Sequence, residues 1–348
     1  MPDEAPVTSA VRVMLTIAVL CSSERPSRIL PRDRRGVPTC PADCPVQARR
    51  TERNGPMSSP LPPVLAAWRH LGRHLTVGAN TIFVAELGAG AGPPIVVVHG
   101  FPGSSHDFAA VADRLASSGR VVLLDLLGFG FSDKPPTARY SLFEQADLVE
   151  STLAQLGIGR CVLLAHDMGD TVVAEILHRH NHGDLGFVPE RVILTNGSIF
   201  IDLAHLTGGQ RAMLRMPARP LPVDPPDWVI ARALARSFGP RSPAPDGAID
   251  TLVRMIQHGR GGRLLPRQNR YLLERRAHQA RWTAGLVEYT GPLTLLWGAD
   301  DPIAVVDMPA RLSALRPRTE VTLLPDVGHW PMLEAPATLA ELVARSVG

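Results

Sequence analysis

Asp167 lies in the run Cys161 to Glu175, CVLLAHDMGDTVVAE, where a continuous apolar stretch breaks at a polar pair and resumes with helical spacing. That pattern reads as strand, sharp turn, helix. Ala165 and Gly169 stand two places before and two places after the central acid. Small flanks are what a strained bend needs, because bulk there would strike the neighbouring strand and helix. A carboxylate at the tip of such a bend can act as a nucleophile and form an ester with an electrophilic carbon. By itself the same residue reads equally well as the cap of a helix beginning near Gly169.

Three further groups supply what an ester on Asp167 would need in order to be hydrolysed. His99-Gly100-Phe101-Pro102-Gly103 follows an apolar run directly and permits a tight turn. Such a turn can aim the Phe101 amide at the same point as the Met168 amide, making an oxyanion hole. Asp300-Asp301-Pro302 closes the run LTLLWG, and Gly328-His329-Trp330 comes shortly after the last apolar run. A carboxylate beside an imidazole orients the ring and stabilises its protonated form, so His329 can take a proton from water. Asp301 is preferred to Asp300 because it stands further from Trp297-Gly298, at the turn tip before Pro302. Singly, each acid is also an ordinary turn or cap residue and His329 an ordinary loop residue.

The elements that must hold these groups are legible as apolar runs. His74 to Val77 and Thr81 to Glu86 flank Gly78-Ala79-Asn80, the composition of a hairpin. Pro94 to Val98, Val121 to Asp125, Cys161 to Ala165, Val192 to Thr195, Leu293 to Trp297 and Val321 to Leu324 are apolar without alternation, as expected for strands buried on both faces. Helical patterns lie between them over Asp107 to Ser117, Leu142 to Leu156, Thr171 to His180, Met308 to Leu315 and Pro336 to Ser346. The alternation predicts an α/β fold with an eight-stranded, mostly parallel, doubly wound sheet and its site at the strand carboxyl ends. It lapses in the middle of the chain. Residues 201–282 read as an inserted helical lid, including the flexible stretch Gly239 to Gly247, between core segments 61–200 and 283–348.

The 348 residues are 45% apolar, enough for a large core, and the net charge is only +3. The basic residues are scattered and nearly all Arg, with Lys134 the one lysine, so nucleic-acid binding is not expected. Residues 1–60, rich in Pro, Arg and Ser, read as a disordered leader. Its apolar run Val11 to Leu20 is too short for a membrane span and starts behind acids rather than basic residues. Cys21, Cys40 and Cys44 lack a fourth zinc ligand nearby, so with Cys161 they read as unpaired thiols in a reducing, cytoplasmic setting. Because folded-looking sequence starts only after Met57, initiation there is a further expectation, which a peptide covering residues 30–50 in the native protein would refute.

The order nucleophilic acid, second acid, histidine is that of the α/β-hydrolase triad. Together, His99-Gly100-Phe101-Pro102, the run Asp125 to Pro135 (DLLGFGFSDKP), the Asp167 elbow, Asp301 and His329 resemble the epoxide hydrolase and haloalkane dehalogenase branch of that fold. DLLGFGFSDKP, YSLFEQAD, HDMGD and TNGSIF resemble the mesoderm-specific transcript subfamily, whose substrate the resemblance does not supply. The match covers residues 65–348 and implies no metal or organic cofactor and a small apolar substrate. Dehalogenases usually carry a Trp after the nucleophile and often an Asn after His-Gly, where this chain has Met168 and Phe101; Trp228 or Trp282 is left to supply a halide donor. Some take their second acid from the strand after the elbow, but the corresponding residue is the neutral Asn196. Epoxide hydrolases have the same His-Gly-Phe-Pro and use lid tyrosines as acids. Tyr271 matches one of these, whereas Tyr140 and Tyr289 lie outside the lid. Asp170 replaces a glycine common after the elbow. The resemblance implies an epoxide hydrolase-like enzyme, with a haloalkane dehalogenase or a non-catalytic binding module as alternatives.

Overall fold

In the computed structural model, residues 60–197 and 199–347 are described. The expectations for residues 1–59, including the three leader cysteines and initiation at Met57, lie outside them. A helix, α1 (Pro63–Leu71), precedes a hairpin of β1 (Arg73–Val77) and β2 (Asn80–Leu87). Gly78 turns that hairpin with φ 60°, a conformation open to glycine at little cost.

Six more strands follow: β3 (Ile95–Val98), β4 (Val121–Leu124), β5 (Arg160–His166), β6 (Val188–Thr195), β7 (Leu293–Gly298) and β8 (Glu320–Leu324). They form one open eight-stranded sheet in the order β1-β2-β4-β3-β5-β6-β7-β8. The pairs β1–β2 and β2–β4 are antiparallel, and the remainder are parallel. IVVV of β3 and VVLL of β4 are buried along their whole length, which is why neither shows polar alternation.

The strand order carries the functional consequence. From β3 the chain moves to β4 on one side and then crosses to β5 on the other, so the crevice between β3 and β5 is a topological switch point. Val98 pairs with Ala165, which sets Phe101 and Asp167 side by side just past the strand ends. Thr195 pairs with His166 on the other flank of β5. Asn196, Asp301 and His329 follow the ends of β6, β7 and β8.

The helices α2 (Ala109–Leu115), α3 (Leu142–Gln155), α4 (Met168–Asn181), α10 (Asp307–Leu315) and α12 (Pro336–Val347) flank the sheet. Two boundaries differ from the sequence expectation for local reasons. The segment before α2 is a 3-10 turn, Ser105–Phe108, because the Asp107 carboxylate turns back to accept from the Ser104 amide at 2.8 Å. Helix α4 starts at Met168 rather than Thr171, since Asp167 is already its cap residue. Helices α1 and α11 (Pro331–Glu334) were not evident as periodic patterns, being short and proline-led.

Between β6 and β7 lie α5 (Gly208–Arg215), α6 (Asp227–Ala235), α7 (Ala248–Gln257), α8 (Leu265–Gln268) and α9 (Tyr271–Glu288). Helix α9 runs through residue 282 and packs closely on α4: a Cβ at Gly285 would lie 2.4 Å from the Ala174 carbonyl oxygen. The buried Glu175 of α4 fixes the pairing, accepting from Arg281 and from the Trp282 indole. The stretch after Gly239 is tied to the core, with the Gly239 amide on Glu334 and Arg241 bridging Asp300 and Asp326.

Candidate active site

Asp167 has φ 49° and ψ −109°, a strained conformation for a non-glycine residue, of the kind that costs about 1–3 kcal/mol and persists only where the surroundings enforce it. The enforcement is visible in the neighbouring glycines. A Cβ at Gly100 would come 2.7 Å from the Asp167 Cβ, and one at Gly169 would come 2.3 Å from the Val98 carbonyl oxygen. The bend therefore presses the nucleophile candidate against the turn that follows β3.

That contact orders the carboxylate. The Phe101 amide donates to Asp167 Oδ2 at 3.0 Å, while Oδ1 accepts no hydrogen bond among the described residues. Met168 is the first residue of α4, where an amide has no intrahelical acceptor. Of the two amides expected to form an oxyanion hole, the one on Phe101 already engages the carboxylate.

The second acid and the histidine are joined. His329 Nδ1 donates to Asp301 Oδ2 at 2.8 Å, with both side chains buried. The other oxygen of Asp301 accepts from the Ile303 and Ala304 amides. With Nδ1 so engaged, Nε2 is the ring nitrogen left to receive a proton. Burial opposes a charge on His329, but the Asp301 charge and hydrogen bond outweigh it, and Asp167 adds to them; the imidazole is held above the ordinary histidine range. Asp300 is engaged elsewhere, in its ion pair with Arg241.

Two positioning groups escaped the sequence reading. Asn196, with φ 46°, donates to Asp301 Oδ2 at 2.7 Å and accepts from the Gly298 amide, joining the ends of β6 and β7. The signal available is its place after the strand next to the elbow, where an amide can bridge two strand ends as an acid can. His166 donates from Nε2 to the His329 carbonyl at 2.8 Å, and burial, then the neighbouring His329, keep it far below the usual range and neutral.

Tyr271 begins α9 and is buried, its ring 5.5 Å from that of Phe101. Burial, and next the charge of Asp167, push its phenol far up, while Arg275 and Gln210 pull the other way. Tyr140 and Tyr289 are committed to backbone carbonyls, of Pro135 and Pro189. Neither tryptophan is placed to hold a halide: the Trp282 indole donates to Glu175, and Trp228 is 61% exposed. Cys161 is free and buried within β5, its thiol pushed up to about 12 by that burial and then by Glu190.

Asp170 is buried at the start of α4. Backbone at Thr195 and Gly197 approaches it, yet among the described residues neither carboxylate oxygen forms a hydrogen bond of good geometry. Burial first, then the charge of Asp167, hold its carboxyl well above the ordinary range. The unfolded chain releases this proton near pH 3.8 whereas the folded chain keeps it. The contribution of Asp170 to stability therefore falls as pH rises above that point, by up to about 1.4 kcal/mol per pH unit, until the folded group itself ionises. In Asp170→Asn this slope disappears, so denaturant unfolding at pH 7 should find the variant more stable than the parent and at pH 4 little different.

The sequence pattern of the Alpha/beta hydrolase family matches residues 95–342. A Mycobacterium tuberculosis protein named as hydrolase LipZ is 38% identical over 280 residues, covering 80% of this chain and 96% of its own length. The mesoderm-specific transcript protein of Mus musculus is 33% identical over 292 residues, 79% of this chain and 85% of its own. Among solved structures, haloalkane dehalogenase DbeA from Bradyrhizobium elkani USDA94 superposes with a TM-score of 0.64 at 21% identity, covering 79% of this chain and 98% of that one. At that identity the likeness speaks for the fold alone.

Proposed function

This chain belongs to the alpha/beta hydrolase family, and on that premise we propose that it opens epoxides through an ester on Asp167 and hydrolyses that ester with water activated by His329. The observation that carries this reading is the single hydrogen bond from the Phe101 amide to Oδ2. It holds one carboxylate oxygen where an oxyanion will develop and leaves the other to attack.

The steps balance. Oδ1 of Asp167 bonds to an epoxide carbon as the ring C–O bond breaks, and the Tyr271 hydroxyl gives its proton to the departing oxygen. The products are a hydroxyalkyl ester and a phenolate. His329 Nε2 then takes a proton from water, and the hydroxide adds to the ester carbonyl, whose oxygen is Oδ2 under the Phe101 and Met168 amides. Collapse expels the diol oxygen, which takes the proton from His329. The remaining proton, set free with the regenerated carboxylate, returns to Tyr271. Asp301 keeps the ring oriented and stabilises its charged form.

The helices between β6 and β7 act as the lid in this reading, with Tyr271 their contribution to the chemistry. A small apolar substrate fits the aromatic faces of Phe101 and Tyr271, and a reducing cytoplasmic setting fits the free Cys161. Dehalogenation is the weaker alternative because the indole of Trp282 is occupied and Trp228 is exposed. The test is Tyr271→Phe: opening of styrene oxide should slow by roughly 10²–10³-fold while hydrolysis of an ester already formed on Asp167 keeps its rate. Unchanged ring opening would remove Tyr271 from the mechanism.

A further inference from the structure

Arg275 is a charged side chain that the steps above leave unused and that packing alone does not explain. It lies one turn beyond Tyr271 on α9 and is buried. Burying a guanidinium is costly unless charge or hydrogen bonds compensate. Its bonds go to neutral oxygens, Nε to Thr171 Oγ1 at 2.9 Å and Nη2 to the backbone carbonyl of Asp167 at 3.3 Å. Among the described residues Nη1 has no partner, and Arg275 and Asp170 both line a cavity with room for about one water. The guanidinium carbon stands 4.9 Å from the centre of the Tyr271 ring, within the range of a cation–π contact.

These contacts set one positive charge against both the Tyr271 ring and the backbone of Asp167, the two residues that exchange negative charge during the proposed ring opening. Before the step the charge is on the Asp167 carboxylate. After it, Asp167 is a neutral ester and the charge is on the Tyr271 oxygen. We propose that Arg275 is a positioning residue for this step, holding the Tyr271 phenol against the elbow and favouring its anionic form once the proton has left. The inference rests on the roles given above to Asp167 and Tyr271. Asp170 and His329 also stand within reach of the Asp167 charge, with burial holding the Asp170 carboxyl well above its ordinary range, and Gln210 of α5 lies near the phenol.

The test is a double-mutant cycle in the full chain carrying His329→Gln, which lets the ester accumulate. Ester formation from styrene oxide is timed by intact mass with Arg275 or Arg275→Met, each combined with Tyr271 or Tyr271→Phe. If Arg275 acts through Tyr271, Arg275→Met slows ester formation by roughly 30–100-fold in the Tyr271 protein and by less than about 3-fold in the Tyr271→Phe protein. Arg275→Lys keeps the charge but loses the planar fork, so it should recover part of the rate in the Tyr271 protein alone. This second variant serves should Arg275→Met not fold. Equal slowing in both backgrounds would mean that Arg275 only docks the helix, and an undiminished rate would mean that it does nothing here; either overturns the inference and leaves the nucleophile reading intact. No ester in the protein with both Arg275 and Tyr271 present overturns that reading and the inference with it.

Discussion

With Asp167 as the proposed nucleophile, Asp167→Asn should lower turnover by roughly 10⁴-fold or more, because an amide oxygen is too weak a nucleophile to open the ring. The substitution is nearly isosteric. Asn serves as a helix cap about as well as Asp, so if residue 167 only caps α4 the variant keeps both its stability and its activity. Turnover of epoxides by the parent and the variant, set beside their melting temperatures, separates the two roles. Loss of activity without loss of stability is expected, since the Phe101 amide still finds an oxygen at residue 167.

His329→Gln separates the two halves of the reaction. The first half does not need the imidazole, so one substrate equivalent should attach to Asp167 and remain there, with steady turnover reduced by roughly 10³–10⁴-fold. Intact mass after exposure to styrene oxide checks this, and a variant that neither turns over nor retains an adduct would remove His329 from the second half alone. The parent supplies a pH signature of the same residue. His329 must be neutral to accept a proton, and its proton is held more tightly than that of an ordinary histidine. Ester hydrolysis should therefore fail on the acid side at a pH above the usual histidine value, and Asp301→Asn should move that limb downward while lowering the rate.

The sheet was legible because a strand buried on both faces needs apolar residues at every position, and that demand is local. IVVV and VVLL therefore announce β3 and β4 without reference to the rest of the chain. The elbow was legible for a related reason: strained backbone at Asp167 tolerates only small neighbours, so Ala165 and Gly169 mark it. Groups defined by contacts between distant segments were not legible in the same way. Asn196 stands beside Asp301 only because β6 and β7 are neighbours in the sheet, and Asp300 is distinguished from Asp301 by Arg241, nearly sixty positions away in the chain. Arg275 lies in YLLERRAHQARW, a run whose charge density reads as a solvated helix face; only the packing of α9 on α4 buries it. Tyr271 is marked only by the family resemblance, since nothing in the periodicity of that helix distinguishes its first residue.

In the proposed mechanism the oxygen delivered to the product comes from Asp167 and is replaced from water. A single turnover of styrene oxide by excess parent protein in H₂¹⁸O, followed by mass analysis of the diol and of the peptide carrying residue 167, tests this directly. Attack by the Asp167 carboxylate should give unlabelled diol and one ¹⁸O in that carboxylate. Labelled diol with an unlabelled Asp167 would contradict it, for water would then have attacked the substrate itself.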